Sequence, residues 1–385
     1  MSRRLSMTIE QVSVDPAVPY TPIDDFPKRL QVKHGSLPKN LGIRPWQRYR
    51  SLARRKSWSI NSRGENGTDP DAVPPLTALS IMFGLYLLNP TSHNPIHRAL
   101  FVSYPVSNKG YSKGLHDITF VIFYIIVFSA FREFVMHEIL KPLAKLNGLR
   151  NPAKVLRFME QGYSLVYFSL STAFGLYNMY GTDLWYFHTR AFFEEYPHKI
   201  LPGAFKVYYL LQAAYWVQQI VILILQIERP RKDFKEFTLH HIVTCMLVIG
   251  SYMLHFTHMG LAVFITMDSS DVFLSLSKLL NYVKSRFLAP VFVVFVLEWI
   301  YARHYLSVRL LICTVTEFLS IGPNMLDWDA GLYKSWLSQS ACFSLLLTLQ
   351  LVNYYWLGLI LRIAYRYAFK NIARDDRSED EEKEE

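Results

Sequence analysis

Apolar runs of roughly 20 residues recur along this chain, long enough as helices to cross a hydrocarbon layer about 30 Å thick. Eight can be drawn, at roughly 72–88, 115–140, 158–180, 204–227, 238–256, 259–281, 288–313 and 337–363. They are apolar all round rather than along one stripe, which is the pattern of a span and not of a helix lying on a soluble core. The first run is the weakest, being short and opening on Pro74-Pro75. The expected fold is therefore all-α, a polytopic membrane protein with about eight transmembrane helices.

The charges are confined to what lies between the runs. Only 19% of the 385 residues are charged against 51% hydrophobic, and the net charge is +10. A basic balance of that size suits nucleic acid as well as membranes, but here the Lys and Arg residues flank apolar spans instead of forming one face. No nucleic-acid partner is expected. With the N-terminus placed in the cytosol, the cytosolic connectors receive Lys141, Lys145, Arg150, Lys154 and Arg157, then Arg229, Arg231, Lys232 and Lys235, then Lys284 and Arg286. The other side receives 181–203 and 318–336, where acids offset the bases, and one notable basic pair, Lys109 and Lys113. That alternation follows the positive-inside rule and puts both termini in the cytosol. Cys245, Cys313 and Cys342 all fall inside apolar runs without CxxC spacing, so packing is their expected role. Residues 1–71 are polar and basic and read as a disordered cytosolic arm rather than a signal peptide, with the first run as an uncleaved anchor. The remaining boundaries are 72–153 for the first two spans, 154–371 for the main helical domain, and 372–385 for an acidic cytosolic tail.

An ionisable group inside a span costs roughly 2.5–3.5 kcal/mol on insertion scales, so each one needs a reason. The densest set lies in the fifth and sixth runs: Thr238, His240, His241 and Thr244, then Asp268, Ser269, Ser270 and Asp271. The short connector between these runs makes them an antiparallel hairpin turning near residue 257, which sets Asp271 at the depth of His241 and Asp268 one turn deeper. Asp268 and Asp271, three apart, share a helix face. A carboxylate opposite an imidazole fixes its tautomer and stabilises the imidazolium, as acyl transfer or proton abstraction requires. The same residues also suit a structural His–Asp pair between helices. His255 and His258 raise the question of a histidine-ligated metal, but His241 and His255 are separated by roughly 21 Å of helix, too far to share an ion, and none is expected. Their expected place is the lumenal turn. Arg132 and Glu133 read as a self-neutralising pair. Glu298, Arg303 and His304 either line a polar cavity or pair with neighbours. Gln212, Gln218 and Gln219 suit hydrogen bonds between helices, and Lys278 either snorkels to the cytosolic face or meets an anionic substrate.

The stretch RKDFKEFTLHHIVT from Arg231, continued by Met267-Asp268-Ser269-Ser270-Asp271 and Lys278-Leu279-Leu280-Asn281-Tyr282, resembles the Lag motif of ceramide synthases, here spanning 231–282. The wider 154–371 region resembles a TLC domain. Arg132-Glu133-Phe134, Gly175 to Tyr180, Asp183-Leu184-Trp185 and Leu351 to Trp356 add to a likeness closest to the fungal longevity-assurance branch. The resemblance implies a TLC-type helical cage in the endoplasmic reticulum membrane. It implies a sphingoid base N-acyltransferase that joins a fatty acyl-CoA, preferentially very-long-chain, to dihydrosphingosine or phytosphingosine. It places the catalytic residues at His240, His241, Asp268 and Asp271, with no cofactor, since acyl-CoA is a substrate. It also implies membrane lipids as surroundings, a small single-span accessory subunit, and homo- or hetero-oligomers with a paralogue. The alternative within the same fold is a non-catalytic protein that binds or senses lipids, and the intact His-His with both aspartates weighs against it. A transporter would show inverted half-repeats, and none is visible.

Ser6, Ser57 and Ser378 lie in sequences that suit basophilic or acid-directed kinases, though the same charges also serve topology and solubility. The orientation makes a sharper prediction. Asn66-Gly67-Thr68 is an N-x-S/T sequon, and a cytosolic arm leaves Asn66 unglycosylated. A glycosidase-sensitive mobility shift that maps to Asn66 in cells would reverse the topology.

Overall fold

The computed structural model describes residues 73–106, 110–225, 227–228 and 232–370. The basic arm with Ser6, Ser57 and Asn66, the motif's first residue Arg231, and the acidic tail with Ser378 lie outside the described residues. The regular structure of the described residues is helical apart from two small two-stranded hairpins, β1–β2 (Pro105–Val106, Gly110–Tyr111) and β3–β4 (Leu326–Asp327, Leu332–Tyr333). The helices are α1 (Val73–Leu88), the one-turn α2 (His97–Leu100), α3 (His116–Leu146), α4 (Pro152–Met179), α5 (Gly203–Ile224), α6 (Phe234–Met253), α7 (Thr257–Tyr282), α8 (Leu288–Thr316) and α9 (Trp336–Lys370).

Each long helix overlies one of the apolar runs. Five of them, α3, α5, α7, α8 and α9, are long and apolar enough to cross a membrane. The other three fall short of that standard for different reasons. Helix α1 has only 16 residues. Helix α4 is diluted by polar residues that include the exposed Lys154 and the Arg157–Glu160 pair, bonded at 2.9 Å, and α6 by Glu236, His240 and His241.

Local sequence accounts for the helix boundaries. Asn151 caps α4 by accepting from the backbone N–H groups of Ala153 and Lys154, and Pro152 occupies the first turn, where its missing N–H costs nothing. Between α6 and α7 the turn takes only Leu254, His255 and Phe256, with His255 in the left-handed region at φ 66°. Helices α3 and α8 each contain a π-helical segment, Val135–Leu140 and Tyr301–Leu306, which shifts the side-chain register partway along the helix.

Neighbouring helices close a ring in the order α3, α5, α6, α9, α8, α7, α4 and back to α3, with α1 packed outside on α3. The most extensive pairing is α4 on α7. Helix α4 presents a buried stripe, Tyr163, Tyr167, Ser171 and Gly175, at the spacing of one helix face. At one end the 180–202 connector folds inward, burying Phe192, Phe193 and Tyr196 instead of looping free. Tyr196 stacks on Phe256, ring centroids 5.0 Å apart, and its hydroxyl donates to Leu254 O and accepts from the Tyr333 N–H. At the same end Lys206 pairs with Asp117 at 2.7 Å and donates to Ser103 O and Ser112 O, fixing α5 to the start of α3.

Gly175 allows the α4–α7 approach: a Cβ there would lie 2.7 Å from Tyr208 Oη and 2.9 Å from Ile265 Cγ1. Gly175→Val therefore loses about 1–3 kcal/mol of stability. Gly358→Ala, whose Cβ meets nothing within 4 Å, is neutral or slightly stabilising. Thermal unfolding of the detergent-solubilised variants checks the pair; equal midpoints would contradict the tight packing.

Candidate active site

His240 and His241 both lie in the second turn of α6 and are both buried. Consecutive helical residues diverge by about 100°, so the two rings face different neighbours. The His240 ring packs edge-on against Trp356 of α9, centroids 5.3 Å apart, and against Trp216 of α5 at 5.7 Å. His241 packs against Trp216 and Phe237, and its Nδ1 lies 2.9 Å from Phe237 O. A carbonyl oxygen only accepts, so Nδ1 carries the proton and the neutral ring's lone pair sits on Nε2. Asp233 Oδ2 accepts from the Trp356 indole N–H at 3.0 Å, which locks one wall of the site to the start of α6.

An apolar cavity opens beside these rings, between α6, α7 and α9 with Trp216 contributed by α5. It holds about 850 Å³ of empty space counting its mouth. His240, Thr244 and Asp268 supply polar groups at one end, while Leu254 and Phe256 of the α6–α7 turn bound the other. Met259, Val263, Leu345 and Leu349 line the length between.

Asp268 and Asp271 occupy one face of α7, as their spacing predicts, and each bonds side chains of other helices. Asp268 is wholly buried, and its Oδ2 accepts from Ser171 Oγ at 2.6 Å and from Gln212 Nε2 at 2.7 Å. Helices α4 and α5 press these neutral donors against the same stretch of α7, so they satisfy that oxygen. Asp271 forms an ion pair with Arg303 at 2.7 Å. Arg303 lies in the π-helical segment of α8, is buried, and also bonds Ser270 Oγ, Met267 O and Asn353 Oδ1. A π-turn in mid-helix is a frequent device for aiming a side chain at a functional site, and Arg303 fits that use.

The structure thus brings His240 and Asp268 to one cavity and places His241 and Asp271 just outside its lining. His255 and His258 stand at the opposite end. His255 Nδ1 faces Lys113 Nζ at 3.1 Å, and burial together with that lysine lowers its pKa to about 4. Burial also lowers the Lys113 pKa, to about 7. His258 packs against His198 with the rings tilted and their centroids 3.6 Å apart. The Arg132–Glu133 pair exists at 3.2 Å but is extended by Glu228, which accepts from Arg132 at 2.9 Å. Of the three glutamines, Gln212 belongs to the site, whereas Gln218 donates to Ser129 Oγ at 3.1 Å. His304 Nδ1 accepts from Gln350 Nε2 at 3.0 Å. Sequence reasoning missed Ser171, Trp216 and Trp356 as site residues. Ser171 carries no motif signal; only its position on the buried stripe of α4 could have raised it.

Comparison with known proteins agrees with this architecture. The TLC domain family matches residues 157–362, more than half of the chain. A Schizosaccharomyces pombe protein named sphingosine N-acyltransferase lac1 is 46% identical over 86% of this chain and 88% of its own length. The Saccharomyces cerevisiae ceramide synthase LAG1 is 42% identical over 91% of this chain and 84% of its own. This chain belongs to the TLC-domain family, in its fungal Lag1/Lac1 branch. A third TLC relative, the sphingosine N-acyltransferase-like protein FUM17 of Gibberella moniliformis, is 47% identical over 79% of this chain and 78% of its own.

The Arg303–Asp271 pair makes a stability prediction for this family member. Arg303→Met removes a buried guanidinium from Asp271, Ser270, Met267 O and Asn353 and costs up to about 3–5 kcal/mol, whereas Arg303→Met combined with Asp271→Leu costs less than the sum of the two single changes. Thermal unfolding in detergent measures both. A double variant as unstable as the sum of the singles would show that the pair is not coupled.

Proposed function

We propose that this chain is a ceramide synthase of the endoplasmic reticulum membrane, which transfers a fatty acyl group from acyl-CoA to the amine of a sphingoid base. The observation that carries the reading is the cavity: long, apolar and partly open, with an imidazole and a buried carboxylate at one end. That shape suits an acyl chain whose reacting carbonyl must stop beside His240. The names of the relatives, sphingosine N-acyltransferase and ceramide synthase, support the same substrates. A preference for very-long acyl chains belongs to this reading as what the likeness to the fungal branch implies. The basic connector at Lys232 and Lys235, close in sequence to the histidines, favours entry of the coenzyme A phosphates from a cytosolic mouth, with both termini on that side. A single-span accessory subunit and a homo- or hetero-oligomer belong to the same reading, for which the apolar outer faces of the ring offer room.

A thioester is already activated, so the chemistry requires a base and a leaving-group acid but neither metal nor cofactor. The sphingoid amine enters protonated. In the direct route His240 takes one proton, the freed nitrogen attacks the thioester carbon, the C–N bond forms and the C–S bond breaks. The imidazolium returns its proton to the departing thiolate, and the second proton lost by nitrogen leaves to solvent. In the covalent route His240 attacks the carbonyl first, releasing coenzyme A and leaving an acyl-imidazole that the amine then captures. His241, its Nδ1–H held by Phe237 O, stands beside it as the second acid–base group. Asp268 supplies the negative charge that supports an imidazolium in a low-dielectric site, and Asp271 holds Arg303 on the same face of α7.

Expected effects follow from these roles. His240→Ala, His241→Ala, Asp268→Asn and Asp271→Asn each lower N-acylation about 10²–10⁴-fold in folded protein, the loss typical of a positioned acid–base group. His255→Ala and His258→Ala, at the far end of the hairpin, act mildly. Mass spectrometry after acyl-CoA alone separates the routes: an acyl adduct on His240 that sphingoid base removes establishes the covalent one. Near-normal activity of His240→Ala and His241→Ala alongside loss in His255→Ala would put the site elsewhere.

A further inference from the structure

The two carboxylates of α7 are held by unlike chemistry, and the difference divides their work. Asp271 meets a guanidinium at 2.7 Å, so its charge is compensated on contact. The two hydrogen-bond donors to Asp268 are both neutral, and both reach the same oxygen: Ser171 Oγ and Gln212 Nε2 bond Oδ2. Oδ1 is buried and accepts no hydrogen bond. A wholly buried carboxylate with one satisfied oxygen and no contact cation is an expensive arrangement in a protein interior. It becomes favourable when a cation arrives at the unbonded oxygen, and Asp268 is one of the residues around the cavity.

The donors themselves are fixed. Gln212 is 1% exposed, and its Oε1 accepts from Tyr167 Oη at 3.1 Å, which sets the amide with Nε2 toward the carboxylate. The same Nε2 reaches Ser171 Oγ at 2.6 Å and Tyr208 Oη at 3.0 Å, so the Ser171 proton is directed onto Asp268. Rotation of the carboxyl group would break two charge-assisted bonds at once.

We propose that Ser171 and Gln212 are positioning residues that hold Asp268 with Oδ1 as the acceptor for the protonated amine of a long-chain base in the cavity. Asp268 is then the amine-binding carboxylate, and Asp271, already paired with Arg303, is not. This assignment rests on the ceramide synthase reading and names the residue that receives its second substrate. The ammonium docks without covalent change; His240 afterwards takes its proton by the steps given above.

Steady-state kinetics and equilibrium binding test it on the purified full-length protein. Loss of a hydrogen bond to a charged group weakens binding about tenfold or more. Ser171→Ala and Gln212→Leu are each expected to raise KM for the sphingoid base by about that factor, while KM for acyl-CoA stays within about twofold of wild type. A merely structural role would lower the yield of folded protein or shift both constants together. Binding of octadecylamine and octadecanol gives a second arm that does not depend on those variants folding. Wild type should prefer the amine by about tenfold or more, and Asp268→Asn, close to isosteric, should erase the preference.

An amine preference that survives Asp268→Asn overturns the assignment, as does an unchanged sphingoid-base KM in folded Ser171→Ala and Gln212→Leu. The reading of the whole protein fails separately. A wild type that prefers octadecylamine through Asp268 yet acylates no sphingoid base would retain the amine site and lose the synthase.

Discussion

A carboxylate placed among membrane-spanning helices must be satisfied by its neighbours, and the organisation of this molecule follows from how Asp268 is satisfied. Its partners come from two helices: Ser171 from α4 and Gln212 from α5. Those bonds require α4, α5 and α7 to meet at one depth, and the tight α4–α7 seam at Gly175 and the aromatic packing of Tyr167 on Tyr215 provide that meeting. With α7 held on that side, its next face presents Asp271 and Ser270 to Arg303 of α8. The polar groups lie on the seams where helices join, and the space left between α6, α7 and α9 is almost wholly apolar. That separation lets charged chemistry and a hydrocarbon chain share one enclosure.

The two ends of the α6–α7 hairpin are specialised accordingly. At the His240 end, tryptophans from α5 and α9 wall the imidazoles, and Asp233 anchors one of them. At the turn end the cavity stops against Phe256, backed by Tyr196 and by Phe318 at 4.9 Å. The 180–202 connector that supplies Tyr196 is therefore part of the enclosure and not a loop between spans. Lys113, His255 and His198 belong to this closing structure. Their burial lowers all three pKa values, and for His198 and His255 that favours the neutral imidazole.

Much of this was legible in the residues. Long apolar runs located every long helix, because no other element satisfies the backbone of so apolar a segment. The short connector before Thr257 set the antiparallel α6–α7 hairpin, and the three-residue spacing of Asp268 and Asp271 put both on one face. Partner choice was not legible. Depth along a hairpin says which residues are level, but the bonds of Asp268 depend on helices distant in sequence, whose rotation is decided by packing at residues such as Gly175 and Tyr208. Arg303 was legible as a residue that pairs with neighbours or lines a polar cavity, but its partner Asp271 was not: the π-helical segment Tyr301–Leu306 changes the register of α8, so a regular 3.6-residue count aims its side chain incorrectly. The inward packing of the 180–202 connector was not legible either, since Phe192, Phe193 and Tyr196 stand among charges in no regular element.

The central claim is that this enclosure joins an acyl thioester to a long-chain base. The most direct measurement is product analysis by mass spectrometry on the purified wild-type protein in proteoliposomes, supplied with a ladder of acyl-CoA lengths and dihydrosphingosine, with free thiol followed in parallel. One N-acyl product is expected per thiol released, dependent on both substrates and favouring the longer chains. Thiol release without amide, or no turnover from protein shown to be folded, would contradict it.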